Sequence, residues 1–186
     1  MKDIYIATSN PRKAVESGLI LEEYGFKLKI AKVNLSESLT VDVDEIIKKK
    51  IIDAFSIIKR PVFVEHGGLY IDALDGLPGG LSKPIVFILK NKLCDIIPVS
   101  ESRNAEASLQ IAYCDGMKIH YFQSSIKGKI SLKPKGSREY YYDEIFIPDC
   151  SDKTFAEMSL EEKNNISHVK AVYGAFGQFL KDKYTP

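Results

Sequence analysis

The chain has 186 residues, of which 45% are hydrophobic, enough to bury the core of one α/β domain. Its formal net charge of +1 excludes binding to nucleic acid or an acidic membrane through bulk charge and leaves only a local basic pocket open. Met1-Lys2-Asp3-Ile4-Tyr5 lacks the apolar run of a secretory signal and no stretch reaches membrane-spanning length, so a cytoplasmic protein is expected.

Taken in chain order, Ile4–Ala7 reads as a buried strand. Asn10 followed by Pro11 marks a helix start, because an Asn side chain caps free N–H groups and Pro suits the first helical position. Ala14, Gly18 and Leu21 share a helical face flanked by Val15 and Leu19, and Gly25 is placed to end it. Lys27–Val33 alternates as a second strand. Asp44 is the expected cap of a helix whose Ile47, Ile51, Ala54, Phe55 and Ile58 form an apolar stripe stopped by Pro61. Val62–Val64 reads as a short buried strand, the acid, histidine and glycines after it as a loop, and Leu69–Leu74 as a further strand. Pro84–Leu93 reads as helix.

The second half is richer in strands. Ala105–Tyr113 and Met117–Phe122 form a hairpin across Asp115-Gly116, a dipeptide whose tight turn matches strand twist, and Ile126–Leu132 continues the strands. Ser159 and Glu162 have capping-box spacing. Ser167 starts a last helix with Val172, Tyr173, Phe176 and Leu180 inward, which leaves His168 in the first turn, free to face a cleft. Cys94, Cys114 and Cys150 lack pair spacing and read as reduced packing residues. The order of elements favours a mixed α/β sheet in two lobes with a cleft between them, where ligands collect at strand ends.

Three segments bear chemistry, each with a plainer alternative. Ala7–Glu16, ATSNPRKAVE, runs from strand through polar loop to a helix start carrying Lys13. It reads as a phosphate cradle, since helix N-terminal N–H groups attract anions, or as an ordinary capped helix with a solvated lysine. Lys133–Asp149, KPKGSREYYYDEIFIPD, offers tyrosines to stack on a base, or a strand packing on a neighbouring lobe. Phe155–Ala171, FAEMSLEEKNNISHVKA, sets Lys163, His168 and Lys170 around a helix break, facing a cleft or solvent. No nucleophile–histidine arrangement, P-loop or GxGxxG is present.

In order and spacing, TSNPRK, VEHGGLYIDALDGLPG, YYYDEIFIPD and FAEMSLEEKNNISHVKA together resemble the inosine triphosphate pyrophosphatases over nearly the whole chain. The resemblance implies a long mixed β-sheet flanked by helices, one domain over residues 1–186 whose two lobes share that sheet around a central cleft, and a homodimer. It implies an enzyme that converts purine (inosine- or xanthosine-type) NTPs or dNTPs to NMP and pyrophosphate with a divalent metal, and no membrane or stable nucleic-acid partner. Carried over by position, Thr8, Ser9, Asn10 and Lys13 hold the triphosphate. Tyr140 and Tyr142 form an aromatic wall, and Asp143, Lys163, His168 and Ser82 fall on further substrate positions. Lys13, Glu65 and His66 are the catalytic candidates, and Glu37, Glu65 and His66 the metal candidates.

This chain departs from the pattern at the site. His66 stands where the family has the aspartate of magnesium binding and water activation, and Val169 where it has a base-reading arginine. Magnesium prefers hard oxygen ligands, whereas imidazole suits zinc and other transition metals, so manganese or zinc become alternatives to magnesium. Three readings follow: a working pyrophosphatase with altered metal or base preference in which His66 acts as general base through water, a catalytically degenerate member that binds nucleotide in a regulatory role, or a chain in which His66 is a packing residue beside an unused cleft.

Overall fold

The structure, a computed structural model, describes residues 1–8, 11–36, 38–89, 92–137 and 142–184, without the side chains of residues 11–13 and 16. Strand β1 (Lys2–Ala7) leads into helix α1 (Pro11–Glu22), and β2 (Phe26–Ala31) into α2 (Val43–Ile58). Next come β3 (Val62–Ile71), a short 3-10 turn at Asp72–Leu74, β4 (Pro78–Gly79), α3 (Ser82–Leu89) and α4 (Lys92–Ile96). The hairpin β5 (Asn104–Cys114) and β6 (Ile119–Ile130) precedes β7 (Phe146–Pro148), α5 (Leu160–Ile166) and α6 (His168–Tyr184).

The strands form one mixed sheet in the order β2-β1-β3-β5-β6-β7, with β4 paired to β3. Strand β1 runs parallel to β2 and β3, while β3, β5, β6 and β7 are successively antiparallel. Strand β3 is the spine, since every residue from Val62, opposite Cys114, to Ile71, opposite Ala105, has a partner on β5. The expected loop at Glu65–Gly68 is therefore ordinary strand. The glycines that suggested a turn answer to packing instead: a Cβ on Gly68 would stand 2.9 Å from the Tyr70 ring, and one on Gly67 3.3 Å from the Ser108 carbonyl oxygen.

Other expectations shift for local reasons. The cap of α2 is Asp42, not Asp44: Asp42 Oδ1 accepts from the N–H of Asp44 at 2.8 Å and of Glu45 at 3.3 Å. Asp44 sits in the first turn, where a negative charge suits the helix dipole, and its Oδ1 accepts from Gln110 Nε2 at 2.6 Å. Val15 and Leu19 are exposed, and Ile20 and Leu21 are the buried aliphatics of α1. Pro84–Leu93 divides between α3 and α4, with residues 90 and 91 outside the description. The two expected strands Met117–Phe122 and Ile126–Leu132 are one, β6, because β5 pairs it throughout. Cys94 and Cys114 are buried and free, but Cys150 is exposed.

Packing divides by face. Val62 and Val64 of β3 meet Ile47, Ile51 and Ala54 of α2. Phe63 points the other way, against Tyr173 and Phe176 of α6, with ring centroids 6.1 and 4.9 Å away. Leu69 and Ile71 belong to a separate core with Val86, Phe146, Phe155 and Met158. Strand alternation puts Phe63, Glu65, Gly67, Leu69 and Ile71 on one face, so Glu65 and Gly67 lie between two cores. That gap fixes where chemistry can sit.

The β6–β7 junction gives a direct test of this packing. A Cβ on Gly128 would lie 2.3 Å from the Ile147 carbonyl oxygen and 2.9 Å from Pro148 Cα, contacts that only backbone movement relieves. Gly128→Ala is expected to cost about 1–3 kcal/mol in urea denaturation; an unchanged midpoint would mean that β7 can leave β6 without loss.

Candidate active site

The site grows from the middle of β3. Glu65 is 6% exposed, and its Oε2 accepts from the Tyr173 hydroxyl of α6 at 2.7 Å. The Glu65 carbonyl accepts from Lys50 Nζ of α2 at 3.2 Å. The next residue points to the other face: His66 Nε2 lies 2.8 Å from the Gly80 carbonyl oxygen. A carbonyl only accepts, so Nε2 carries the proton. Gly80 N–H donates to the Val41 carbonyl at 2.8 Å. Ser82 Oγ accepts from Leu69 N–H at 2.7 Å and donates to the Gly79 carbonyl. The Pro78–Ser82 turn is thereby stitched to β3 on one side and to the segment before α2 on the other.

A second group forms where β7, α5 and α6 meet. Lys163 Nζ and Asp143 Oδ2 pair at 2.6 Å, both nearly buried. Capping boxes at Thr154–Glu157 and Ser159–Glu162 fix the chain that carries Lys163. Ser167 Oγ accepts from Val169 N–H at 3.1 Å at the start of α6. His168 does not stand free at a cleft: it is 4% exposed, 3.5 Å from the Tyr142 hydroxyl through Nε2, with the Phe155 ring 6.3 Å away. Burial, helped by the Lys163 charge, pushes its pKa down to about 4, so the ring is neutral at pH 7. Its buried Nδ1 has no hydrogen-bond partner among the described residues. Helix α6 joins the two groups, for His168 precedes Tyr173 by five positions, about 7.5 Å along the axis.

Of the expected site residues, the structure brings together Tyr142, Asp143, Lys163 and His168 in one group and seats Glu65, His66 and Ser82 around β3. Thr8 follows β1, half-buried, and Lys13 is the third residue of α1. Ser9, Asn10, Glu37 and Tyr140, with the Lys13 side chain, lie outside the described residues. Lys50 was missed by reading the sequence. Its signal was its place on the stripe of α2, three residues after Ile47 and four before Ala54, where an inward lysine needs a partner.

The donors described do not form a metal cage. Glu65 and His66 turn to opposite faces of one strand, so a single ion cannot take both side chains. No group of three His, Cys, Asp or Glu side chains suited to a metal occurs among the described residues. No helix among them is long and apolar enough to cross a membrane.

A mixed seven-stranded sheet with flanking helices packed on it in three apolar clusters defines an α/β protein. The fold matches the Ham1 protein of Staphylococcus aureus with a TM-score of 0.82 at 24% identity, over 98% of this chain and 100% of that one. The HAM1 protein of Coxiella burnetii gives the same TM-score at 23% identity and the same coverage. The profile of the Ham1 family matches residues 4–179. Among curated relatives, the dITP/XTP pyrophosphatase of Hyperthermus butylicus is 34% identical over 89% of this chain and 87% of its own. That of Thermococcus kodakarensis is 33% identical over 94% and 95%. The chain belongs to the Ham1 family.

The state of His168 predicts a pH effect. Its folded pKa of about 4 lies below the unfolded value of about 6.5, so the unfolded chain takes up the proton first as pH falls. Its stabilising contribution is full above pH ~6.5 and is lost between ~6.5 and ~4, up to about 3 kcal/mol. Urea denaturation at pH 7.0, 5.5 and 4.5 is expected to show the wild type losing this much more than His168→Gln; parallel curves would place the charged imidazole comfortably in the fold.

Proposed function

We propose that the protein is a nucleoside-triphosphate pyrophosphohydrolase that cleaves purine (inosine- or xanthosine-type) NTPs or dNTPs to NMP and pyrophosphate. The observation that carries this reading is the group of Tyr142, Asp143, Lys163 and neutral His168, held in segments that match the pyrophosphatase pattern along nearly the full chain. In this reading water attacks the α-phosphoryl group, the bond to the bridging oxygen breaks and pyrophosphate leaves.

Each residue has a physical task. Thr8, Ser9, Asn10 and Lys13 meet the triphosphate at the start of α1, where free N–H groups and the dipole favour an anion. Tyr140 and Tyr142 flank the base, and Asp143, Lys163 and His168 present polar atoms to its edge, His168 with one donor and one acceptor because it is neutral. Ser82 holds the turn that borders the site. Magnesium is the implied ion, with manganese or zinc in its place as alternatives; its protein contacts in this reading are Glu37 and Glu65. Magnesium typically keeps several waters and takes one or two carboxylates plus substrate phosphates, so it needs no all-protein cage. A homodimer in the cytoplasm, without membrane or nucleic-acid partner, completes the reading.

One observation favours a second reading. Val169 packs against the apolar core of α6 and β3 and offers no donor to a base. Together with His66 in place of a carboxylate, this suits a protein that binds purine nucleotides without turning them over.

Pyrophosphate release from inosine, xanthosine and guanosine triphosphates, each with magnesium, manganese and zinc, separates the two. Metal-dependent release is expected, with Lys13→Ala lowering kcat/KM about 10²-fold or more through the lost phosphate contact. Nucleotide binding with no release under any metal would establish the binding protein.

A further inference from the structure

We propose that His66 is a positioning residue: its imidazole N–H latches the Gly79–Gly80 turn to β3 and, through Gly80, sets the segment that enters α2. The inference rests on the pyrophosphohydrolase reading and adds a role that separates His66 from metal binding and from proton transfer.

The geometry points to a latch. His66 is 6% exposed, on a strand paired along its whole length, so the backbone leaves its ring little freedom. Its Nε2–H donates to the Gly80 carbonyl at 2.8 Å, and the N–H of the same Gly80 donates to the Val41 carbonyl at 2.8 Å. One residue of the turn is thus held from both sides, by β3 and by the residue next to the Asp42 cap of α2. The turn is pressed too close for side chains. A Cβ on Gly80 would stand 2.6 Å from Ile46 Cδ1, and one on Gly79, which has φ +54°, 2.8 Å from the Val41 carbonyl oxygen. Ser82 provides a second tie through Leu69 and Gly79. Lys50 ties α2 to the peptide of Glu65, the neighbouring residue.

The chemistry of the donor decides what can replace it. An ionised carboxylate only accepts, so an aspartate at position 66 would set its oxygens against the Gly80 carbonyl with no proton between them. A carboxylate there and this turn conformation exclude each other. Glutamine can place an amide N–H near Nε2 without a titrating ring or a ring nitrogen to bind metal.

The test compares wild type with His66→Ala, His66→Gln and His66→Asp in two readouts. The first is hydrogen exchange at the Gly80 amide, which reports the bond to Val41 whether or not the protein is an enzyme. Protection is expected to fall about tenfold or more in His66→Ala and His66→Asp and to return in His66→Gln. The second is pyrophosphate release across pH and metals. His66→Ala is expected to raise KM about tenfold more than it lowers kcat, and His66→Gln to restore both within about threefold with the wild-type pH profile. Full protection in His66→Ala overturns the latch. So does a loss of about 10²-fold in kcat in His66→Gln with the turn still protected, because the imidazole itself would then be base or ligand. If the wild type releases no pyrophosphate, the enzymatic reading fails while exchange still decides the latch.

Discussion

The constraint on which the site depends is the unbroken pairing of β3 with β5. Ten consecutive residues have partners, so side chains alternate without a bulge from Val62 to Ile71. Neighbours in sequence become opposites in space. Glu65 reaches Tyr173 of α6, and His66 reaches the Gly80 turn beside α2. Two helices on opposite faces are thereby indexed to adjacent residues of one strand. The same alternation parts the apolar cores and leaves Glu65 and Gly67 between them.

The Asp143–Lys163 pair and His168 follow a different rule. Taking both charges out of water costs several kcal/mol per ion, and a pair at 2.6 Å recovers that only with good geometry. What such a pair adds is a fixed arrangement, since neither partner can leave without stranding the other. Lys163 then acts on His168, adding to burial in keeping the ring neutral. The Nδ1 atom is buried with no partner among the described residues, and an unmet polar group of that kind costs about 1–3 kcal/mol.

Sequence reading succeeded where the signal was local. Ser159 and Glu162 cap α5 as their spacing implies, and Asp115 makes the hairpin turn by accepting from the N–H of Met117 and Lys118. It failed where distant partners override local preference. Glycines at 67 and 68 signal a turn in isolation, but they sit in strand because β5 pairs them, and they are glycine because Ser108 and Tyr70 occupy the space a side chain would need. Asp42 and Asp44 both look like local caps in the sequence; Asp42 takes the cap and Asp44 instead engages Gln110, sixty-six residues away. The members of the site were legible as motifs, whereas their relation was not. Adjacent Glu65 and His66 look like one metal pair until the strand turns them apart, and Lys50 looks like one lysine of a charged run until its stripe position is counted.

The two departures at the site have a common physical character. Val169 and His66 each exchange a group that would face substrate for one that serves the framework, the first as apolar packing and the second as a donor to a turn. Relative to the family pattern one carboxylate and one guanidinium are gone, so the net charge is unchanged while a metal ligand and a planar donor are both lost. Framework contacts of this kind act on the ground state and the transition state alike. Uniform binding of that kind lowers KM and leaves the chemical barrier where it was. In the enzymatic reading proposed above, rate then depends on how firmly the framework places the phosphates, held at the start of α1, against the attacking water, which puts the weight on positioning.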